Sequence, residues 1–89
     1  MEETREARLG RLRMRSMRRG IREMDLILID FSGRELDAMD DAGLALYDRF
    51  LGENDHDLLA WVTGTATPPE LFATLIGRIR AGARGLVQD

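Results

Sequence analysis

The chain has 89 residues, 44% of them apolar and 33% charged, with a formal net charge of −3. That is the size and balance of one small globular domain with a barely sufficient core. It contains no cysteine and a single histidine, His56, which excludes disulfides, thiolate chemistry and a histidine–cysteine metal cluster. No apolar run approaches the ~20 residues of a membrane-spanning helix.

The first predicted element is a basic helix over about Glu3–Met17, with Leu9, Leu12 and Ser16 on one face and arginines along its flanks. Residues 1–22 hold eight arginines against Glu2, Glu3 and Glu6, a net of +5; residues 23–89 hold five arginines against thirteen acids, a net of −8. A basic arm on an acidic body points to nucleic acid, an anionic membrane or an acidic protein groove. The three acids interrupt what would otherwise resemble an arginine-rich targeting segment. The reading is a bacterial cytoplasmic protein.

A second helix starts at Gly20 or Ile21, where Ile21, Met24, Leu28 and Phe31 recur at helical spacing. Leu26, Ile27 and Ile29 add apolar surface on other sides, so this helix is expected to be central and buried nearly all round. A strand over Leu26–Phe31 would have no second strand to pair with. Gly33 is expected to end the helix.

Asp40 or Asp41 can cap a third helix with Leu44, Tyr47 and Leu51 on one face and Leu46 and Phe50 beside it, stopped by a left-handed Gly52. Asp55 is expected to cap a short fourth helix carrying Leu58, Leu59, Trp61 and Val62, closed by Gly64. Thr67-Pro68-Pro69-Glu70 reads as a capping box opening the fifth helix. Its buried stripe would be Leu71, Phe72, Leu75, Ile76 and Ile79. Gly82 and Gly85 loosen a tail over about 82–89 that ends in a fraying Val87-Gln88-Asp89. The expected architecture is therefore all-α, a single-domain five-helix bundle spanning 1–89.

Residues suited to catalysis are scarce. The glycines form no phosphate loop, and Ser16 and Ser32 have no nucleophile-elbow context. The acid pairs Asp40/Asp41 and Asp55/Asp57 look like helix caps, His56 like a solvated first-turn residue, and Trp61 like core or core edge. Methionines Met14 and Met17, set among arginines, are candidate adaptable contacts.

The segment Arg19-Gly20-Ile21-Arg22-Glu23 stands apart. Arg19 and Glu23 could simply pair across one helical turn, worth about 0.2–0.5 kcal/mol. Alternatively, Gly20 leaves bare backbone for a close partner, with Arg19 and Glu23 as charged anchors beside it.

Its surroundings resemble a known family. Arg13-Met14-Arg15-Ser16-Met17-Arg18 leads into the motif, and Met24-Asp25-Leu26-Ile27-Leu28 follows it. Leu58-Leu59-Ala60-Trp61-Val62-Thr63-Gly64 comes later, followed by Pro69-Glu70-Leu71-Phe72 and Ile76-Gly77-Arg78-Ile79-Arg80. In this order, over about residues 8–80, they resemble the SdhE/Sdh5-type FAD assembly factors, the small flavinylation factors of succinate dehydrogenase. Met14 departs from the pattern, which often has an aromatic there.

The resemblance implies an assembly factor, not an enzyme, that promotes covalent attachment of FAD to a histidine of the succinate dehydrogenase flavoprotein subunit. The fumarate reductase flavoprotein subunit is a second candidate client. It implies partner binding by Arg19, Gly20 and Glu23, with Arg13, Arg15, Arg22 and Asp25 as weaker candidates. No cofactor or metal is expected to stay bound, FAD being handled on the partner. A monomer without nucleic-acid binding or membrane insertion is expected. The other class considered is a nucleic-acid-binding or antitoxin-like regulator using the arginine-rich first helix. Against it, that arm has no aromatic residue to stack on a base.

Overall fold

The computed structural model describes residues 2–83, and within them the chain forms helices joined by short connections, with no strand. The helices are α1 (Arg5–Arg15), α2 (Arg22–Glu35), α3 (Asp41–Leu51), α4 (Asp55–Thr63) and α5 (Ala73–Ala83). Single 3-10 turns extend α2 (Leu36–Ala38) and precede α5 (Glu70–Phe72). The all-α bundle expected from the periodicity is the one found.

Each helix start has a local cause. Thr4 Oγ1 accepts from Ala7 N to begin α1, and Asp40 Oδ1 accepts from Gly43 N to begin α3. Asn54, rather than Asp55, caps α4, its Oδ1 accepting the His56 N–H at 2.8 Å. The exposed His56 is thus a first-turn residue, as its spacing implies. Gly64 closes α4 in the left-handed region at φ +84°, a conformation that only glycine adopts without strain.

Several expected boundaries moved. The α2 helix does not stop at Gly33 but runs on to Glu35, since a lone glycine costs a helix only about 1 kcal/mol. Gly52 has φ −79°, so α3 ends in a right-handed turn with Glu53 N donating to Phe50 O.

The capping box at Thr67 does not form. Pro69 disfavours helical angles at Pro68, and the 3-10 turn starts only at Glu70, with extended Pro69 before it and no side-chain cap. Leu71 is consequently exposed, while Phe72, Leu75, Ile76 and Ile79 form the buried stripe as expected. Gly82 lies inside α5, with the Arg34 guanidinium where its Cβ would be. Gly85 and the expected fraying at Val87–Asp89 lie outside the described residues.

The core is one cluster. Leu12 comes from α1, Met24, Ile27, Leu28 and Phe31 from α2, and Leu44, Tyr47, Phe50 and Leu51 from α3. Leu36 and Met39 after α2, Leu58, Trp61 and Val62 of α4, Phe72, and Leu75, Ile76 and Ile79 of α5 complete it. All five aromatic residues of the protein join in one chain of contacts. Phe31 meets Tyr47 with centroids 5.5 Å apart, Tyr47 meets Phe50 at 6.2 Å, Phe50 meets Phe72 at 5.5 Å, and Phe72 meets Trp61 at 6.0 Å. This spine ties α2, α3 and α4 to the turn that starts α5, each contact adding about 0.5–1.5 kcal/mol to area burial.

The second helix is central, packing against α1, α4 and α5. It is not buried all round, however. Leu26 is 46% exposed and Ile29 43%, because with Arg22 and Gly33 they fall on the side that no other helix among the described residues covers.

Tyr47 carries the core's polar handle. Its hydroxyl meets Ser16 Oγ at 2.6 Å, and Ser16 Oγ in turn donates to Leu12 O at 2.7 Å, both residues being fully buried. Burial pushes the Tyr47 phenol up to about 12 against the smaller opposing effect of the Ser16 hydrogen bond.

Leu28→Ala and Ile76→Ala should each lower stability by about 2–5 kcal/mol in denaturant titrations. Because Tyr47 is the only tyrosine, absorbance at alkaline pH reports it alone. Its folded pKa is raised, so its contribution is complete below pH ~10 and is lost as pH climbs toward 12. Phenolate absorbance should therefore appear above the pH at which free tyrosine ionises and should coincide with loss of helicity.

Candidate partner-docking corner

The connection between α1 and α2 is an irregular corner, Ser16–Ile21, with an unusual backbone. Arg18 adopts φ +57° without being glycine, a conformation that costs about 1–2 kcal/mol for a residue with a Cβ. Ile21 is extended at φ −128°, after which α2 begins. Such strain persists only where surrounding contacts hold it.

Those contacts converge on Arg19. Its side chain is only 12% exposed and points into the protein. Nε donates to Asp55 Oδ1 at 2.7 Å, Nη1 to Arg15 O at 3.0 Å, and Nη2 to Leu51 O at 2.9 Å, with a longer bond to Glu53 O. One guanidinium thus joins the end of α1, the end of α3 and the start of α4. Its planar fork of donors allows this, where an ammonium would not.

Two carboxylates hold the backbone on either side. Asp25, in the first turn of α2, accepts from Arg19 N. Asp55 Oδ2 accepts from Gly20 N at 2.8 Å. Burial pushes the Asp55 carboxyl upward, yet the Gly20 N–H, Arg19 and His56 together leave it below its usual value of 3.8. Gly20 itself is exposed, and a Cβ on it would come within 3.2 Å of Asp55 Oδ2. The glycine therefore serves the inward hydrogen bond as well as an open surface.

The residues singled out in the sequence consequently have different placements. Arg19 does not pair with Glu23 across a helical turn but faces inward to Asp55. Gly20, Arg22 and Glu23 are exposed, and Asp25 is half-buried beneath the corner. Arg13 and Arg15 are engaged within the molecule: Arg13 Nη2 donates to Asp37 Oδ1 at 2.9 Å, and Arg15 is bonded to Asp48.

Of the two acid pairs, one keeps its expected capping role and the other does not. Asp40 caps, whereas Asp55 leaves capping to Asn54 and binds the corner. The sequence presents Asp55 only as a cap, and nothing local distinguishes the two uses. The exposed apolar residues Met17, Leu26 and Ile29 are not recognisable as surface from the sequence either, since helical spacing alone does not say which sides neighbours cover.

Most of the basic arm is internally matched. Arg11 makes a forked pair with Asp48, at 3.1 and 3.0 Å, and another with Glu3, at 2.8 and 2.9 Å. Arg5 reaches the carbonyls of Asp37 and Met39, and Arg8 lies 3.8 Å from Asp41. Arg11 holds the Glu3 and Asp48 carboxyls below their usual range and is itself raised by them. Of the arm's arginines, Arg18 and Arg22 have no such partner among the described residues.

Every buried side-chain polar atom in the described residues has a hydrogen-bond partner, and no cluster of three or more metal-ligating side chains occurs there. A groove of about 250 Å³ runs between Trp61, Pro68, Ile76 and Arg80, and two further depressions are rimmed by the paired arginines and acids of α1 and α3. None of these offers the enclosed apolar slot that an isoalloxazine ring requires.

Comparison with known proteins matches residues 10–83 to the family described as flavinator of succinate dehydrogenase. The mitochondrial succinate dehydrogenase assembly factor 2 of Schizosaccharomyces pombe is 43% identical over 68 residues, 76% of this chain and 49% of that protein. Its counterpart in Meyerozyma guilliermondii is 44% identical over 61 residues, 68% of this chain and 45% of that protein. The FAD assembly factor SdhE of Legionella pneumophila (strain Lens) is 35% identical over 63 residues, 71% of this chain and 80% of that protein. The match spans about half the length of these two fungal relatives.

The inward setting of Arg19 separates the two charged residues of the motif in a measurable way. Arg19→Ala strips partners from Asp55 and three carbonyls and should cost about 1.5–3 kcal/mol in thermal or urea unfolding. Glu23→Ala should stay within about 0.5 kcal/mol of wild type. Acid unfolding checks the carboxylates. Their folded pKa values are lowered, so they stabilise the fold above the ordinary range near pH ~4 and lose that contribution as pH falls through the lowered values. Asp48→Asn should flatten the stability loss below pH ~4.

Proposed function

The chain belongs to the family of flavinators of succinate dehydrogenase, and from that premise we propose that it promotes covalent attachment of FAD to the flavoprotein subunit of succinate dehydrogenase. It does so by docking its Arg18–Glu23 corner and the adjoining exposed side of α2 beside the partner's flavin. The observation that carries this reading is the combination of bare, rigidly held Gly20 backbone with exposed Arg22 and Glu23 one turn away. The proposal extends to the fumarate reductase flavoprotein subunit as a second client.

The factor supplies positioning and no reacting group. FAD and the histidine that accepts it both belong to the client, and covalent attachment joins those two. Gly20 lets a partner backbone approach closely. Glu23 and Arg22 offer a carboxylate and a guanidinium to charged groups at the cleft's rim. Leu26, Ile29 and Met17 provide the apolar part of the contact, with Met17 able to adjust its shape. Docking of this kind favours a client conformation in which the reacting groups are held together.

Of the weaker candidates, the exposed Arg22 is the one assigned here to touch the partner directly. Arg13, Arg15 and Asp25 act from beneath, through the contacts that keep α1 and the corner in place. A nucleic-acid role is disfavoured by the same ion pairs, since phosphates would have to compete with Glu3, Asp37, Asp41 and Asp48 for the arm's arginines. The proposed active form is a monomer in the bacterial cytoplasm.

The test is reconstitution with a flavoprotein subunit carrying non-covalent FAD. Adding the factor should raise covalent flavin, seen as in-gel fluorescence, and Glu23→Ala should reduce it without changing the melting temperature. The purified factor should be colourless, with micromolar or weaker affinity for free FAD by calorimetry. A yellow preparation holding one FAD per chain would overturn the division of labour proposed here.

A further inference from the structure

Asp55 stands 35 residues beyond Gly20 in the sequence, yet it holds the corner from below. Its two oxygens are divided between the Arg19 guanidinium and the Gly20 N–H, at 2.7 and 2.8 Å. Asp25 takes the neighbouring Arg19 N–H. Three consecutive backbone features are thereby constrained: left-handed Arg18, the Arg19 amide and the Gly20 amide. Asn54 already caps α4, so helix formation makes no demand on the Asp55 carboxylate.

From this division we propose that Asp55, seconded by Asp25, is a positioning residue for client docking, fixing the shape in which the corner is presented. The inference rests on the proposed docking role of that corner. Arg19 belongs to the same device: it contributes to docking by pointing away from the partner. An unpinned corner would relax Arg18 from its left-handed conformation, turn the Gly20 N–H outward and have to be reordered at every encounter. Ordering such a segment on binding lowers affinity without altering the bound complex once formed. The signature is therefore a loss in half-saturating concentration rather than in maximal rate.

The experiment compares wild type, Asp55→Ala and the volume-conserving Asp55→Asn, at a temperature where circular dichroism shows all three fully folded. Covalent flavin on the succinate dehydrogenase flavoprotein subunit is measured against factor concentration. Amide exchange of Gly20, Leu28 and Ile76 is followed in the free proteins. Asp55→Ala should raise the half-saturating concentration about tenfold, with the maximal rate within about twofold of wild type. Asp55→Asn, which retains one carbonyl oxygen, should fall between them. Gly20 exchange should quicken in Asp55→Ala while Leu28 and Ile76 stay protected.

An unchanged half-saturating concentration in folded Asp55→Ala overturns the inference. So does a loss that comes with deprotection of Leu28 and Ile76, because the role is then general stability. Failure of wild type to raise covalent flavin would instead defeat the proposed function. The Gly20 amide then decides alone, and unchanged exchange in Asp55→Ala overturns the positioning role.

Discussion

The guanidinium of Arg19 is the contact on which the arrangement of this small protein turns. It collects one carboxylate and the terminal carbonyls of two helices, which have no partner inside their own helices. With those groups joined, α1 can turn sharply into α2 and the first turn of α4 can lie against the same place. A single cation does what an apolar side chain could not, because the atoms meeting there are all hydrogen-bond acceptors. The strained Arg18 and the exposed Gly20 are consequences of that closure.

The same chemistry explains the uneven charge. A net of +5 in the first 22 residues and −8 in the rest looks like an invitation to an external polyanion. Much of it is an internal match: α1 lies with Arg11 and Arg15 on Asp48 of α3 and Arg13 on Asp37. Exposed pairs are individually worth about 0–1 kcal/mol, so they align α1 more than they hold it. The holding falls to Leu12 and to the buried Ser16–Tyr47 hydrogen bond. Since α1 buries so little apolar surface of its own, its orientation depends on both kinds of contact together.

This division of labour bears on how an 89-residue bundle presents a docking surface at all. Its apolar groups are largely committed to the aromatic spine and the α2–α5 interface, leaving little for an enclosed pocket. A protruding corner held by polar contacts needs no cavity. It can be rigid without drawing on the core, and the adjoining Leu26 and Ile29 are exposed because α2, packed on its other sides, has one side that no helix among the described residues covers.

Much of this was legible in the sequence, for local reasons. Apolar spacing marked all five helices, Asp40 and Gly64 marked two of their ends, and the ordered motifs around Arg19-Gly20 and Trp61 marked the family. These depend on residues within one or two turns of each other, or on order along the chain. What needed the folded molecule involved distant groups: Asp55 choosing Gly20 over its own helix, Arg19 turning inward, Asp48 taking two arginines of α1, and Leu26 and Ile29 left uncovered. A carboxylate at a helix start can cap, pair or face solvent with little difference in local energy. Which it does depends on what the chain brings opposite it, and that is decided only when the helices pack.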